Sequence, residues 1–295
     1  MRDDSAAIAK YYDNSVFAYR LFAHNTQTLS IHYGLREPGV KDRHEAMLRE
    51  NDFVITLAAI KRGMRVLDAG CGVGGSALYI AENTGAHVTG LTLSPRQVML
   101  AKQYAATRGL SDRTSFFVTD YTKTNFPNNS FDVIYGIESI CYAVPKSAFL
   151  QEALRLLKPG GRLVVSDGYV THRPQTPQEQ NILKQFLFGY SLQELITFEE
   201  MGKAMKKAGF KKTYYVSKTA EVEPAVKYFG ILASLLLPFL YVIKRIHTSL
   251  LALYKNGIAV KAAYDGMKIG FAEYGVWVGR KNSAYKHDAS YLQIV

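Results

Sequence analysis

Cysteine is scarce. Cys71 and Cys141 are the only two in 295 residues, too few for a disulfide framework or a thiolate metal site. No internal repeat or low-complexity tract is visible, which argues against a solenoid or a disordered chain. Met1-Arg-Asp-Asp-Ser carries mixed charge with no apolar segment behind it, unlike a secretory leader, so a cytoplasmic protein is expected. No apolar run reaches the roughly 20 residues of a membrane-spanning helix. The longest, 228–243, lies between Lys227 and Lys244-Arg245 and contains Pro238, and it predicts a buried or interfacial helix. Acids are also short, 25 against 36 Lys and Arg, leaving a formal net charge of +11. The 199–255 stretch alone holds ten Lys or Arg against four Glu. Such a surface suits nucleic acid, an anionic membrane or a phosphorylated substrate, or serves solubility alone.

With 48% hydrophobic residues the chain can fill a core, and its length fits one large α/β domain, with or without an appended lobe. The most informative segment is Val66-Leu-Asp-Ala-Gly-Cys-Gly-Val-Gly-Gly75. Val66 and Leu67 read as a buried strand closed by Asp68. Gly70, Gly72 and Gly74 then make a turn too tight for side chains, and a helix follows from Ser76. A glycine turn between strand and helix lets backbone N–H groups approach a ligand. The dinucleotide version is spaced G-x-G-x-x-G, whereas this one is G-x-G-x-G with an acid two residues before it.

Short apolar strands at 64–69, 87–93, 114–119, 131–136 and 162–170 alternate with amphipathic helices, predicting βαβ units and a parallel sheet. Ser94, Pro95 and Gln97 predict a capped helix start with a capping box. Residues 1–60 read as mostly helical, with loops near Gly34 to Gly39. A helix opened by Thr197-Phe-Glu-Glu ends near Gly209 and leads to strands at 212–218 and 273–280. Two helices in 220–268 interrupt that pair. The division expected is a helical cap over 1–60, a core over 61–219 and 269–283, and a lid over 220–268.

The glycine turn, the apolar second strand, an Asp after the third strand, Phe131-Asp-Val-Ile134 and Leu157-Lys-Pro-Gly-Gly161 occur in that order. The set resembles the class I S-adenosylmethionine (SAM) methyltransferases over about 55–218 and again at 271–281. The resemblance implies an α/β, Rossmann-like, doubly wound seven-stranded sheet with the last strand antiparallel. SAM would lie across the strand ends at the topological switch point. It implies that Gly70, Gly72 and Gly74 pass beneath the methionine part of SAM and that Asp68 orders the loop and reaches the amino group. Many relatives have an acid at the end of the second strand; here Gly90-Leu-Thr-Leu-Ser-Pro-Arg-Gln97 has none. That is similar to the cyclopropane-fatty-acid synthase and tocopherol methyltransferase subgroup, which implies Thr92 and Gln97 as ribose contacts. The competing reading of Gln97 is a helix cap. Asp120 resembles the residue that accepts the adenine amino group, with Tyr121 beside the ring; the competing reading is an Asp that caps its own loop.

Gly136-Ile-Glu-Ser-Ile-Cys-Tyr-Ala-Val-Pro145 lacks the Asn or Asp, two prolines and aromatic of nucleic-acid amino-methylases. It resembles the corresponding stretch of sterol C-methyltransferases, as do Tyr11-Tyr-Asp13, Ser30-Ile-His-Tyr-Gly34 and, more loosely, the region from Asn256 to Arg280. Tyr11 is thereby expected at the cofactor. Carbon methylation leaves a carbocation, which needs aromatic faces or a carboxylate and then a base. Twenty Tyr and fifteen Phe are available, most of them for the core. Glu138 is the expected stabiliser and base; the alternative is a carboxylate that only hydrogen-bonds SAM or a neighbouring loop. His32, Tyr33 and Tyr142 are expected to face the acceptor, while Cys141, Tyr264 and Tyr274 read as packing.

The expected function is SAM-dependent C-methylation of a hydrophobic isoprenoid or sterol-like small molecule. The basic flanks equally suit a prenyl diphosphate. O- or N-methylation of a phenolic or amine metabolite is the alternative, ahead of RNA methylation or a non-catalytic SAM-binding module. No nucleic-acid partner and no metal are expected. Peripheral membrane contact through 228–246 would make a cytoplasmic protein membrane-associated.

Overall fold

The computed structural model describes residues 28–244 and 247–283. Seven strands, β1 (Arg65–Ala69), β2 (His87–Thr92), β3 (Thr114–Val118), β4 (Phe131–Ile137), β5 (Leu157–Val170), β6 (Lys211–Ser217) and β7 (Ala272–Arg280), form one sheet in the order β3-β2-β1-β4-β5-β7-β6. Strands β1 to β5 are parallel, and β7 runs antiparallel to both β5 and β6. The expected seven-stranded sheet with an antiparallel last strand is present.

Strand side chains alternate between faces, and β1 shows the consequence. Val66 packs with Val88 and Val133 under α1 (Arg43–Ala58), α2 (Gly75–Thr84) and α3 (Pro95–Thr107). Leu67 packs with Ile134 and Leu163 under α4 (Lys146–Leu156) and α6 (Phe198–Ala208). Both faces are therefore covered, as a parallel sheet requires. The chain leaves β1 toward β2 on one side and has β4 on the other, so a crevice opens at the carboxyl ends of these strands.

Three features depart from expectation. Among the described part of 1–60 only α1 is helical; residues 28–42 run as irregular backbone over the crevice. A helix not anticipated, α5 (Pro177–Tyr190), begins with a capping box between Thr176 and Glu179. The apolar run at 228–243 belongs to a longer helix, α7 (Thr219–Ile243), which continues through Pro224 and Pro238 because α8 (Thr248–Lys268) and the crevice support its inner face. Proline removes one helical hydrogen bond, a cost of about 3 kcal/mol that tertiary packing can offset. The two helices expected within 220–268 are α7 and α8.

Candidate functional site

The crevice widens into a chamber of about 1080 Å³, bounded by the glycine turn, the loop after β4, residues 29–33, α5, α7 and α8. Every expected site residue that is described lines it, except Gly74. Gly74 instead sits at φ 89° in front of α2, against Phe116 and Ala101, and shapes the turn from behind. Tyr11 lies outside the described residues.

At the turn end, Gly70 has φ 103° and lies so close to Ser139 that a Cβ would strike it. Gly72 faces open space, with Gln97 Nε2 the nearest group to where its Cβ would be, at 4.0 Å. Asp68 is buried and accepts a hydrogen bond from Tyr135 Oη at 2.7 Å; burial pushes its carboxyl up to about 7. Thr92 Oγ1 donates to Gln97 Oε1 at 2.6 Å, while Ser94 Oγ caps the Gln97 N–H at 3.1 Å. The Gln97 side chain thus does not complete the expected capping box; it is turned to Thr92 at the chamber wall. Asp120 does cap its own loop, accepting from Thr122 N and Oγ1 through Oδ1 at 2.8 and 2.7 Å, and Oδ2 makes no hydrogen bond among the described residues. Tyr121 donates to Ser139 O at 2.8 Å and meets Phe149 edge-on. A carboxyl beside an open glycine turn, an amide and a hydroxyl at the second strand, and an acid beside an aromatic ring fit the amino, ribose and adenine parts of SAM in turn. SAM supplies an electrophilic methyl group on a sulfonium.

Beyond the turn, Glu138 sits in the left-handed region at φ 48°, where a non-glycine residue is uncommon. Its N–H donates to Ser166 O at 2.8 Å, and Ser139 Oγ ties the same loop to Ala69 O. The strained residue is thereby fixed beside the glycine turn. Glu138 Oε1 accepts the Tyr33 N–H at 2.8 Å and lies 3.2 Å from Tyr274 Oη. Burial, and then the neighbouring Glu50, raise its carboxyl well above the ordinary range. Glu50, on α1, is fully buried; it accepts from Tyr274 Oη at 2.7 Å and Ser166 Oγ at 2.8 Å and lies 2.7 Å from His32 Nδ1. Burial works to raise Glu50, but His32 and the two hydroxyls outweigh it and hold it low. His32 Nε2 is buried with no hydrogen-bond partner among the described residues.

Tyr142 Oη donates to Tyr190 O at 3.0 Å, and Tyr33 and Tyr190 hydroxyls meet at 2.8 Å. Two segments remote in sequence are joined in this way over the chamber. Cys141 is held by its N–H to Asp167 Oδ2, and burial raises its thiol, which suits packing rather than nucleophilic attack. Asp167 itself is pushed up to about 6 by burial. Sequence reading missed Glu50, Asp167 and Arg43; Tyr274 is in the core as expected, and its hydroxyl also reaches Glu50 and Glu138. Only the capping pattern of α5, Thr176-Pro-Gln-Glu179, offered an unused signal, since it leads to Tyr190.

Residues 66–161 match the methyltransferase-domain family. The sterol 24-C-methyltransferase of Neurospora crassa is 32% identical over 225 residues, 74% of this chain and 59% of that protein, so the chain spans about three fifths of this relative. The [4+2]-cyclase SpnF superposes with a TM-score of 0.77 at 25% identity, covering 95% of this chain and 96% of that one. Geranyl diphosphate C-methyltransferase of Streptomyces coelicolor A3(2) gives 0.73 at 19% identity over 95% and 98%, a likeness of fold alone. With its glycine turn and its sheet order the chain has the Rossmann-like fold of the SAM-dependent methyltransferases, its residues 66–161 match the methyltransferase-domain family, and it is similar in sequence to sterol 24-C-methyltransferases.

Proposed function

We propose that this protein transfers the methyl group of SAM to an olefinic carbon of an uncharged, sterol-like or isoprenoid acceptor. The observation that carries this reading is Glu138, a buried carboxyl strained into place beside the glycine turn and facing an apolar chamber. The far end of that chamber is made by Val226, Phe229, Leu232, Leu236 and Leu240 of α7 with Val260 of α8. Only Arg43 and Lys123 among the described residues bring Lys or Arg charge to the wall, and Lys123 stands beside Asp120 at the opposite end. Among the described residues, no three His, Cys, Asp or Glu gather as a divalent-cation site. A diphosphate would find little to neutralise it here, whereas a hydrocarbon skeleton fits.

In this reading Asp68, Gln97 and Asp120 hold the donor, and the tyrosines joined through Tyr190 close the chamber against water. The alkene attacks the methyl group in line, and orientation supplies much of the rate. Glu138 stabilises the carbon cation that results and then takes the adjacent proton. His32 and Tyr33 hold the carboxylate's surroundings rather than reacting.

The acceptor would come from a membrane. Tyr228, Ile231, Leu235, Phe239 and Val242 form one exposed stripe on α7, with Leu235 73% and Val242 75% exposed. Among the described residues α7 is the helix long and apolar enough to cross a bilayer, but its inner face lines the chamber and packs on α8. Lying in the interface satisfies both faces.

The test is incubation of labelled SAM with sterols, prenyl diphosphates and phenols, reading product mass and methyl position. A new carbon–methyl bond on a sterol-like or isoprenoid olefin is expected. Glu138→Gln should lose about 100-fold or more in turnover, within the usual range for general acid–base groups, while S-adenosylhomocysteine affinity is kept. Methylation of oxygen or nitrogen, or unchanged turnover in the variant, would overturn the proposal.

A further inference from the structure

Two carboxyls, Glu138 and Glu50, face one hydroxyl proton. Tyr274 Oη is 2.7 Å from Glu50 Oε1 and 3.2 Å from Glu138 Oε1, and a phenol has a single proton to donate. The shorter contact claims it for Glu50, which also takes the Ser166 hydroxyl proton and sits against His32. Tyr274 then turns its oxygen lone pairs toward Glu138. An ionised Glu138 would meet those lone pairs and, behind them, the Glu50 charge. A protonated Glu138 instead donates its Oε1–H to Tyr274 Oη, and the same hydroxyl oxygen keeps a lone pair for the Tyr33 N–H.

We propose that in the absence of SAM this pair holds one negative charge, with Glu138 protonated through Tyr274, and that binding of SAM expels the Glu138 proton to solvent. The driving force is the sulfonium charge entering a buried site next to the carboxyl. S-adenosylhomocysteine, the neutral thioether left after methyl transfer, supplies no such charge and leaves the proton in place. The base is thus armed only when the donor is present, and Glu50 and Tyr274 act as positioning residues that keep it disarmed otherwise. No bond to carbon is involved: the carboxylic O–H breaks, and a water or buffer base takes the proton. The inference rests on donor binding beside Glu138 and does not depend on the acceptor proposed above.

Groups that face Glu138 come from every neighbouring element. Glu50 and Arg43 project from α1, Asp167 from β5, Tyr274 from β7, Cys141 from the loop after β4 and Tyr33 from the segment ahead of α1, while His32 of that segment faces Glu50. Burial and the Glu50 charge push the Glu138 carboxyl well up. Asp68, lifted to about 7, also releases a proton when it meets the ligand's ammonium group. SAM and S-adenosylhomocysteine carry the same ammonium, so Asp68 contributes equally to both. The difference between the two ligands isolates Glu138.

Isothermal titration in two buffers of different ionisation enthalpy measures protons released per ligand. Over the pH range in which the free protein holds Glu138 protonated, SAM should release up to one proton more than S-adenosylhomocysteine, and their affinity ratio should rise with pH, at most tenfold per unit. Glu138→Gln should bind S-adenosylhomocysteine as before and abolish the extra proton. An infrared difference spectrum gives a second reading without a variant: a protonated-carboxyl band should be lost on adding SAM and kept on adding the thioether. Equal proton release for both ligands, or an extra proton that survives in Glu138→Gln, would overturn the proposal. Failure here would leave a methylated product untouched, so the two readings fail separately.

Discussion

Asp68 is a buried acid whose protonation the fold and the ligand pull in opposite directions. In the unfolded chain its carboxyl titrates near 3.8, and in the folded chain near 7. Between those values the folded state holds a proton that the unfolded state has lost. The contribution to stability is therefore present at acid pH and falls as pH rises through 7. Asp68→Asn keeps an acceptor for the Tyr135 hydroxyl and removes the titration. We expect the variant to melt at a higher temperature than the parent at pH 8, and that advantage to shrink as pH falls below 7 and to vanish only near pH 4. It should also bind SAM and S-adenosylhomocysteine about 10- to 100-fold less tightly, the worth of a charged hydrogen bond of roughly 1.5–3 kcal/mol. Melting curves at both pH values, with calorimetric affinities, decide this. A variant that binds normally would remove Asp68 from the cofactor site.

At the scale of elements, α7 is the part of the fold with two apolar faces. Val222, Val226 and Gly230 are buried toward the body, whereas Leu235 and Phe239 lie on the outer stripe and do not line the chamber. Replacing both with Glu should leave the melting temperature unchanged, since neither packs inside. Flotation with liposomes should nevertheless fall more than 100-fold in partition, because two large apolar side chains contribute about 3 kcal/mol or more on burial. Equal flotation of parent and variant would end the case for an interfacial helix. The same element shows what could be read in advance. Strand alternation and the glycine turn depend on neighbours within a few residues, and so β1, its turn and α2 were legible. The full length of α7 was not, because its continuity through Pro238 depends on α8. Glu50 looked like any acid in an amphipathic helix; its burial comes from His32 and from Tyr274, 224 residues away. Likewise Asp120 and Gln97 were placed at the chamber by pattern, but which group each one bonds was set by the neighbouring Thr122, Thr92 and Ser94.

Taken as a whole molecule, the protein separates its charge from its chemistry. The net charge is +11, yet among the described residues only two Lys or Arg side chains line the chamber. The surplus therefore acts on what approaches from outside, as a field with a reach of about 8–10 Å at ordinary salt. Lys227, exposed beside the apolar stripe, and Lys244, stacked on Tyr241 and Tyr254, place part of that field at the two ends of the stripe. Screening separates the two forces, since the apolar contribution does not weaken with salt. Binding to vesicles containing anionic lipid should weaken several-fold between about 50 and 200 mM salt and then level off, held by the stripe. A protein built to track nucleic acid would instead lose about 10³–10⁵ in affinity over that range as counterions return. Co-flotation across a salt series, with RNA added as competitor, measures both. If RNA strips the protein from vesicles at 200 mM salt, the basic surface serves nucleic acid. If the protein stays on the vesicles, the charge brings it to the membrane and the stripe keeps it there.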